Sequence, residues 1–315
     1  MSTRSPVLFI VFNRPDTTRR VFEAIRAARP PRLYVAADGP RPHKAGEAER
    51  CESVRRLATA VDWPCELKTL FSDKNLGCKL GEASAMNWFF ENEPEGIVLE
   101  DDCLPNASFF SFCDELLERY RDDSRVMCIS GDNFISETWV PPDSYYFSKY
   151  PYCWGWASWR RAWRHYDVDM NGWRTGSKDE LLECMLPEQP QARAYWGDIF
   201  DRVSTGGIDT WDYQWVYACW KHGGLSCTPR ANLISNIGFG PGATHTVNPD
   251  SKHALLPAGT LDTPLQHPTS ILASAYADRW ASQHVLGIDE QLGHVTRLKK
   301  GLARTLRRSL LRFRR

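Results

Sequence analysis

Three consecutive carboxylates, Glu100-Asp101-Asp102, end the apolar run Gly96-Ile97-Val98-Leu99 and stand just before Pro105. A short apolar run bounded by turn residues reads as a buried strand. In an open α/β sheet the carboxyl ends of the strands face the ligand crevice, so these acids are aimed at a substrate. Adjacent like charges repel by roughly 1 kcal/mol or more per close pair, which asks for a neighbouring cation. Oxygen ligands suit Mg²⁺ or Mn²⁺, which take one or two carboxylates and leave the other positions to water and phosphate. The same acids would equally serve as a solvated turn, or as negative charge at the start of a helix over 106–121.

A second carboxylate, Asp212, is framed by Trp211, Tyr213 and Trp215. Desolvation among aromatics raises a carboxylate's proton affinity and suits it to act as a general base; a helix N-cap is the other reading of the same pattern. His245, after the glycine-rich stretch 236–245, is a candidate contact to phosphate or metal, although a lone histidine is more often structural or on the surface. No Gly-x-Gly-x-x-Gly or P-loop follows the first apolar run. A bound diphosphate would therefore rest on metal and on Arg14, whose guanidinium matches phosphate oxygens.

These residues need a scaffold. Pro6 to Phe12 is a continuous apolar run, a buried strand that ends at Asn13-Arg14-Pro15. A helical stripe follows at Val21, Phe22, Ile25 and Ala28, then a strand from Leu33 to Ala37 that ends at Asp38-Gly39. A third strand over 66–71, a helix through Phe90, the acidic strand, a helix and a strand at 126–130 continue the alternation. Arg14, Asp38 and Glu100 to Asp102 then share the strand-end side of a Rossmann-like sheet. Beyond residue 135 the pattern changes to an aromatic-dense stretch at 145–163, helices near 178–185 and 191–203, the Trp211-Asp212 segment with a helix to His222, a strand near 225–228 and an extended strap over 246–270. The expected organisation is a domain over 1–245, with a nucleotide-binding half (1–135) and an acceptor half (136–245), then a strap and helical extension (246–290) and a basic tail (291–315).

The chain has 315 residues, 42% of them apolar and 25% charged, ordinary for a soluble globular protein with an ample core. Its 13 tryptophans are unusual; most should be core, and aromatic faces also suit sugar rings. The ten cysteines form no Cys-x-x-Cys pair and several lie in apolar runs, which fits reduced thiols in a cytosol. No stretch is long enough for a signal-peptide core or a membrane span, so a cytoplasmic protein is expected. The net charge of zero hides an asymmetry: nine Lys and Arg follow Glu290 with no acid among them. In the tail Leu292, Val295, Leu298, Leu302, Leu306, Leu310 and Phe313 fall on one helical face, opposite the basic one. Such a segment suits docking on an anionic membrane surface at the inner face, with a frayed soluble tail, a partner-binding helix or a nucleic-acid arm as the other readings; no nucleic-acid role is expected for the chain as a whole.

The ordered set of Asn13-Arg14-Pro15, Asp38-Gly39, the acid triplet, Phe109-Phe110, Gly155-Trp156 and Trp211-Asp212 resembles the GT-A glycosyltransferases, and more narrowly the inverting N-acetylglucosaminyltransferase I family with its relatives that extend O-mannose. The resemblance runs from about Pro6 to His245. It implies an α/β GT-A fold, a mixed sheet flanked by helices with a C-terminal helical extension. It also implies that Asp102 holds Mn²⁺, that Glu100 and Asp101 are directed to the sugar and ribose, that Arg14 and Asp38 contact the nucleotide, with Trp211 beside them, and that Asp212 is the base. The donor would be a nucleotide-diphosphate sugar, UDP-linked by resemblance, and the acceptor a hydroxyl of a glycan or glycolipid. The chain departs from the family in reading Trp211-Asp212-Tyr213-Gln214-Trp215 where the family has Trp-Asp-Asp-Trp, and in showing no N-terminal membrane anchor. Two other functions use the same scaffold: a catalytically inactive nucleotide-sugar or carbohydrate-binding protein, and a sugar-1-phosphate nucleotidyltransferase, which would want a glycine-rich basic loop after the first strand.

Overall fold

The computed structural model describes residues 2–239 and 256–286. In chain order the elements are β1 (Val7–Val11), α1 (Pro15–Ala28), β2 (Arg32–Ala37), α2 (Glu47–Ala58), β3 (Glu66–Phe71), α3 (Gly77–Asn92), β4 (Glu95–Glu100), β5 (Cys103–Pro105), α4 (Ala107–Arg119) and β6 (Val126–Ser130). Then follow β7 (Tyr145–Ser148), β8 (Trp156–Trp159), α5 (Arg160–Trp163), α6 (Asn171–Thr175), α7 (Lys178–Met185), α8 (Pro190–Ser204), α9 (Asp212–Lys221), β9 (Leu225–Pro229), β10 (Ile234–Asn236) and α10 (Ala275–His284).

Eight strands form one mixed sheet in the order β3-β2-β1-β4-β8-β6-β9-β7, flanked by helices. The half containing β3, β2, β1 and β4 is parallel, β8 runs antiparallel to both β4 and β6, and β7 is antiparallel to β9. Strands from both sides of residue 135 thus belong to a single sheet. The chain runs outward from β1 to β2 and β3 and then returns to place β4 on the other side of β1. That reversal is a topological switch point, where the loops after neighbouring strands diverge and open a crevice.

The central strands are buried on both faces, as their uninterrupted apolar runs require. One face of the sheet packs against α1, α2 and α4 through Val21, Phe22, Val54, Phe112 and Leu116. The other packs Met86, Phe89, Trp163 and Trp215, from α3, α5 and α9. A third cluster around Trp173, Trp196, Phe200 and Trp220 ties α6, α7, α8 and α9 into a helical lobe, so most tryptophans are core. The aromatic-dense stretch supplies β7 and β8, each fully buried. Residues 256–270 are irregular, and α10 packs back on β7, its Asp278 accepting from the Ser148 hydroxyl at 2.6 Å. None of the ten cysteines is paired. No helix among the described residues is long and apolar enough to cross a membrane.

Candidate active site

A cleft of about 1400 Å³ opens at the switch point. Its lining includes Arg14, Asp38, Glu100, Asp101, Asp102, Trp211 and Asp212, which brings together every site residue expected from sequence except His245. His245, most of the glycine-rich stretch before it and the basic tail lie outside the described residues.

Arg14 is placed by the turn that starts α1. Pro15 occupies the first helical position, where its missing N–H costs nothing. The Arg14 carbonyl accepts from the Thr18 backbone N–H at 3.0 Å and from the Thr18 hydroxyl at 2.7 Å. So anchored, the guanidinium forks across two acids, Nη1 donating to Asp102 Oδ2 at 2.8 Å and Nη2 to Asp101 Oδ1. Burial works against the arginine's charge, but the two carboxylates outweigh it and hold its pKa above the ordinary value. Asp101 is 2% exposed; burial raises its pKa to about 6, with Arg14 opposing and Asp102 adding to the rise. The pair is sealed by the stretch after β10: the Ile237 N–H donates to the Asp102 carbonyl at 2.8 Å, and a Cβ at Gly238 would overlap Asp102 Oδ2 and come within 2.7 Å of Arg14 Nη1.

Asp38 lines the cleft, but its oxygens are already engaged by the turn before α3. They accept from the backbone N–H groups of Gly39, Leu76 and Gly77 at 2.8 to 3.0 Å and from the Asn75 amide at 2.9 Å. A carboxylate offers about four lone-pair sites, so any ligand contact here shares an occupied acceptor. Burial raises the Asp38 pKa, opposed by those N–H groups.

Asp212 opens α9. The structure puts Trp211, not Asp212, at the N-cap position and gives that cap no side-chain hydrogen bond. Asp212 is half-buried, and its Oδ1 accepts from the Thr210 hydroxyl and, at 2.9 Å, from the Tyr213 N–H. Trp211 is 3% exposed and stacks on Trp156 of β8 with centroids 5.7 Å apart. Its carbonyl accepts from the Tyr166 hydroxyl at 3.1 Å. The tryptophan is thus a post that fixes the corner carrying Asp212, with only part of its surface toward the cleft.

Two cleft residues escaped sequence reading. Glu82 of α3 accepts from the Cys78 thiol at 3.3 Å through Oε1, while its buried Oε2 has no partner among the described residues. Burial drives its pKa up to about 8, and the charges of Asp212, Asp102 and Asp101 add to the shift. Glu100 is pushed well above the usual carboxylate range by burial first and by Glu82 next. The signal for Glu82 was a carboxylate on the same helical face as Cys78 and Ala85, visible only once that face is known to line a cavity. The other is Glu47, 1% exposed, which binds the Asn13 amide at 2.8 Å and the Arg41 backbone N–H at 2.7 Å. Its bond to the Arg41 side chain comes first among the causes that pull its pKa to about 2.

No group of three or more His, Cys, Asp or Glu side chains is gathered as a ligand set for a metal among the described residues. The donor chemistry nevertheless fits a hard divalent cation. Glu82, Glu100, Asp101, Asp102 and Asp212 all line the cleft with Arg14 as the guanidinium paired into their midst, and Mg²⁺ or Mn²⁺ needs only one or two of them. A cation at Asp102 would share the carboxylate with Arg14.

No protein-family model matches the chain, and no curated protein matches it. Among solved structures the chain is similar to the glycosyltransferase GlyE of Streptococcus pneumoniae TIGR4, with 10% identity and a TM-score of 0.30, over 71% of this chain and 45% of that one. The chain therefore spans less than half the length of that relative.

Proposed function

We propose that the chain is a metal-dependent, inverting glycosyltransferase of GT-A type that moves a sugar from a nucleotide diphosphate, UDP by resemblance, to a hydroxyl of a glycan or glycolipid. The observation that carries this reading is that Asp212, about 110 residues from the acid triplet, lines the same cleft as Arg14 and Glu100 to Asp102. An acid on a separate element, facing a charge-rich pocket at a switch point, is what transfer from an anionic donor to a neutral acceptor requires.

In this reading Arg14, held in place by Asp101 and Asp102, binds the diphosphate through the guanidinium N–H groups that those acids leave free. Asp102 would hold a divalent cation, with His245 a further candidate contact, and such a cation would supply neutralisation of negative charge at the leaving diphosphate. Asp212 accepts the proton as the acceptor oxygen bonds to the anomeric carbon and the bond from that carbon to the diphosphate oxygen breaks. Attack comes from the face opposite the leaving group, so the configuration inverts and no covalent enzyme intermediate forms. Asn13 and Arg41, tied together by Glu47, and Phe12, under the Arg41 guanidinium, shape the wall beside β1 and β2, where the nucleoside would lie. The basic, helix-spaced sequence over 291–315 docks the enzyme on an anionic membrane surface, near a lipid-linked acceptor.

Two substitutions separate the roles. Asp212→Asn should leave donor affinity within about 2-fold of wild type and lower transfer by about 10²-fold or more, the scale of a lost general base. Asp102→Ala should weaken metal-dependent donor binding. Full transfer by Asp212→Asn would remove the base from the account. Release of pyrophosphate rather than nucleoside diphosphate would favour the nucleotidyltransferase reading, and donor binding without turnover the binding-protein one.

A further inference from the structure

We infer that Glu82 is a sugar-binding residue that receives a hydroxyl or amide N–H of the transferred sugar and selects neutral sugars over acidic ones; this rests on the nucleotide-sugar reading above. The first ground is an unspent acceptor. Glu82 lines the cleft, its Oε1 is held by the Cys78 thiol, and its Oε2 is buried with no partner among the described residues. Buried polar atoms are nearly always satisfied, so an orphan on a residue that lines a cleft points to a ligand that satisfies it.

The second ground is the field around it. Asp212, Asp102 and Asp101 each act on Glu82 with like charge, whereas the guanidinium of Arg14 is paired to Asp101 and Asp102. The cleft is therefore divided. The Arg14 end accommodates a diphosphate, and the end between α3 and the start of α9 repels further negative charge. What can occupy that second end is a neutral group able to hydrogen-bond to a carboxyl, as the hydroxyls and acylamino groups of a hexose do. A sugar carboxylate placed there would meet repulsion from Asp212, Asp102 and Asp101 and, once Glu82 is ionised above about pH 8, an acceptor it cannot satisfy. Cys78, one turn earlier on α3, fixes the rotamer of the glutamate and leaves one oxygen for the ligand.

The test is equilibrium binding, with Mn²⁺ present and above about pH 8 where Glu82 is ionised, of UDP, UDP carrying a neutral hexose or N-acetylhexosamine, and UDP carrying a hexuronic acid. Wild type should bind the best neutral sugar nucleotide about 10-fold or more tighter than the uronic one, the scale of one hydrogen bond to a charged group. Glu82→Gln keeps the shape; it should change UDP affinity by less than about 2-fold while cutting the preference for the neutral sugar by about 10-fold. Glu82→Ala should do the same and serves if the glutamine variant folds poorly. Equal wild-type affinity for neutral and acidic sugars, or an unchanged preference in both variants, overturns the role of Glu82. Failure of wild type to bind UDP at all overturns instead the nucleotide reading beneath it.

Discussion

At the scale of single residues, the candidate site is a small number of charges held in fixed relation by ion pairs and backbone hydrogen bonds. Arg14 is the centre of that arrangement, because removing it strands Asp101 and Asp102 as buried unpaired acids. Arg14→Met should lower stability by about 3 kcal/mol, the low end for breaking a buried pair, seen as a reduced midpoint in denaturant unfolding together with lost donor binding. Gly238 is the second point of control. Gly238→Ala forces a methyl group into Asp102 and Arg14 and should cost about 1–3 kcal/mol, with donor affinity falling alongside; unchanged melting and binding would show that the 236–239 stretch yields freely. Arg14, Asp38, the triplet and Asp212 could be picked out in the sequence because each follows an apolar run or sits inside an aromatic frame. Glu82 and Glu47 could not, since a glutamate within a helix has no local mark of burial, and only the packing of α3 and α2 against the cleft gives them one.

At the scale of elements, the sheet presents its acids through strands that the sequence announced and fixes its second carboxylate through strands it did not. β1, β2 and β4 stand out as continuous apolar runs, and α7 and α8 are found at 178–185 and 190–204, within a residue of the periodicity that predicts them. β7 and β8 hide in Tyr145–Ser148 and Trp156–Trp159, where burial on both faces erases the alternation that marks a half-exposed strand. Yet β8 carries Trp156, whose stack with Trp211 sets the start of α9. Trp156→Ala should cost about 3–5 kcal/mol and lower transfer more than donor binding, because the corner it supports carries Asp212 and not Arg14. α10 makes a second, pH-dependent joint. Buried Asp278 has its pKa raised to about 6 by burial, with the Ser148 hydroxyl and the Lys149 N–H opposing. A carboxyl that holds its proton more tightly when folded contributes stability below its unfolded pKa of about 4, and that contribution is lost as pH rises through about 6. Asp278→Asn should therefore gain on wild type between pH 4 and 7, by up to about 3 kcal/mol, in unfolding measured across that range.

At the scale of the whole molecule, one mixed sheet and a helical lobe bring residues more than 200 positions apart, from Ile10 to Asn236, into one cleft. The body carries an excess of acids and the end of the sequence an excess of bases, so in the proposed function donor binding and membrane docking fall to different parts of the chain. Ending the chain at residue 290 should leave donor binding and melting unchanged while weakening binding to anionic vesicles, since each Lys or Arg near such a surface contributes about 1 kcal/mol. Vesicle binding that survives the truncation would move the membrane contact into the body. The claim on which everything else depends is that the cleft takes a nucleotide sugar together with a divalent cation. Thermal unfolding of the wild-type chain with a panel of nucleotide sugars, each with and without Mn²⁺, tests it most directly. A ligand that binds only the folded state adds about 2.7 kcal/mol at a hundredfold excess over its Kd, so one UDP-linked neutral sugar should raise the melting temperature clearly, and only with the metal. No rise with any member of the panel, or a rise indifferent to Mn²⁺, would contradict the account.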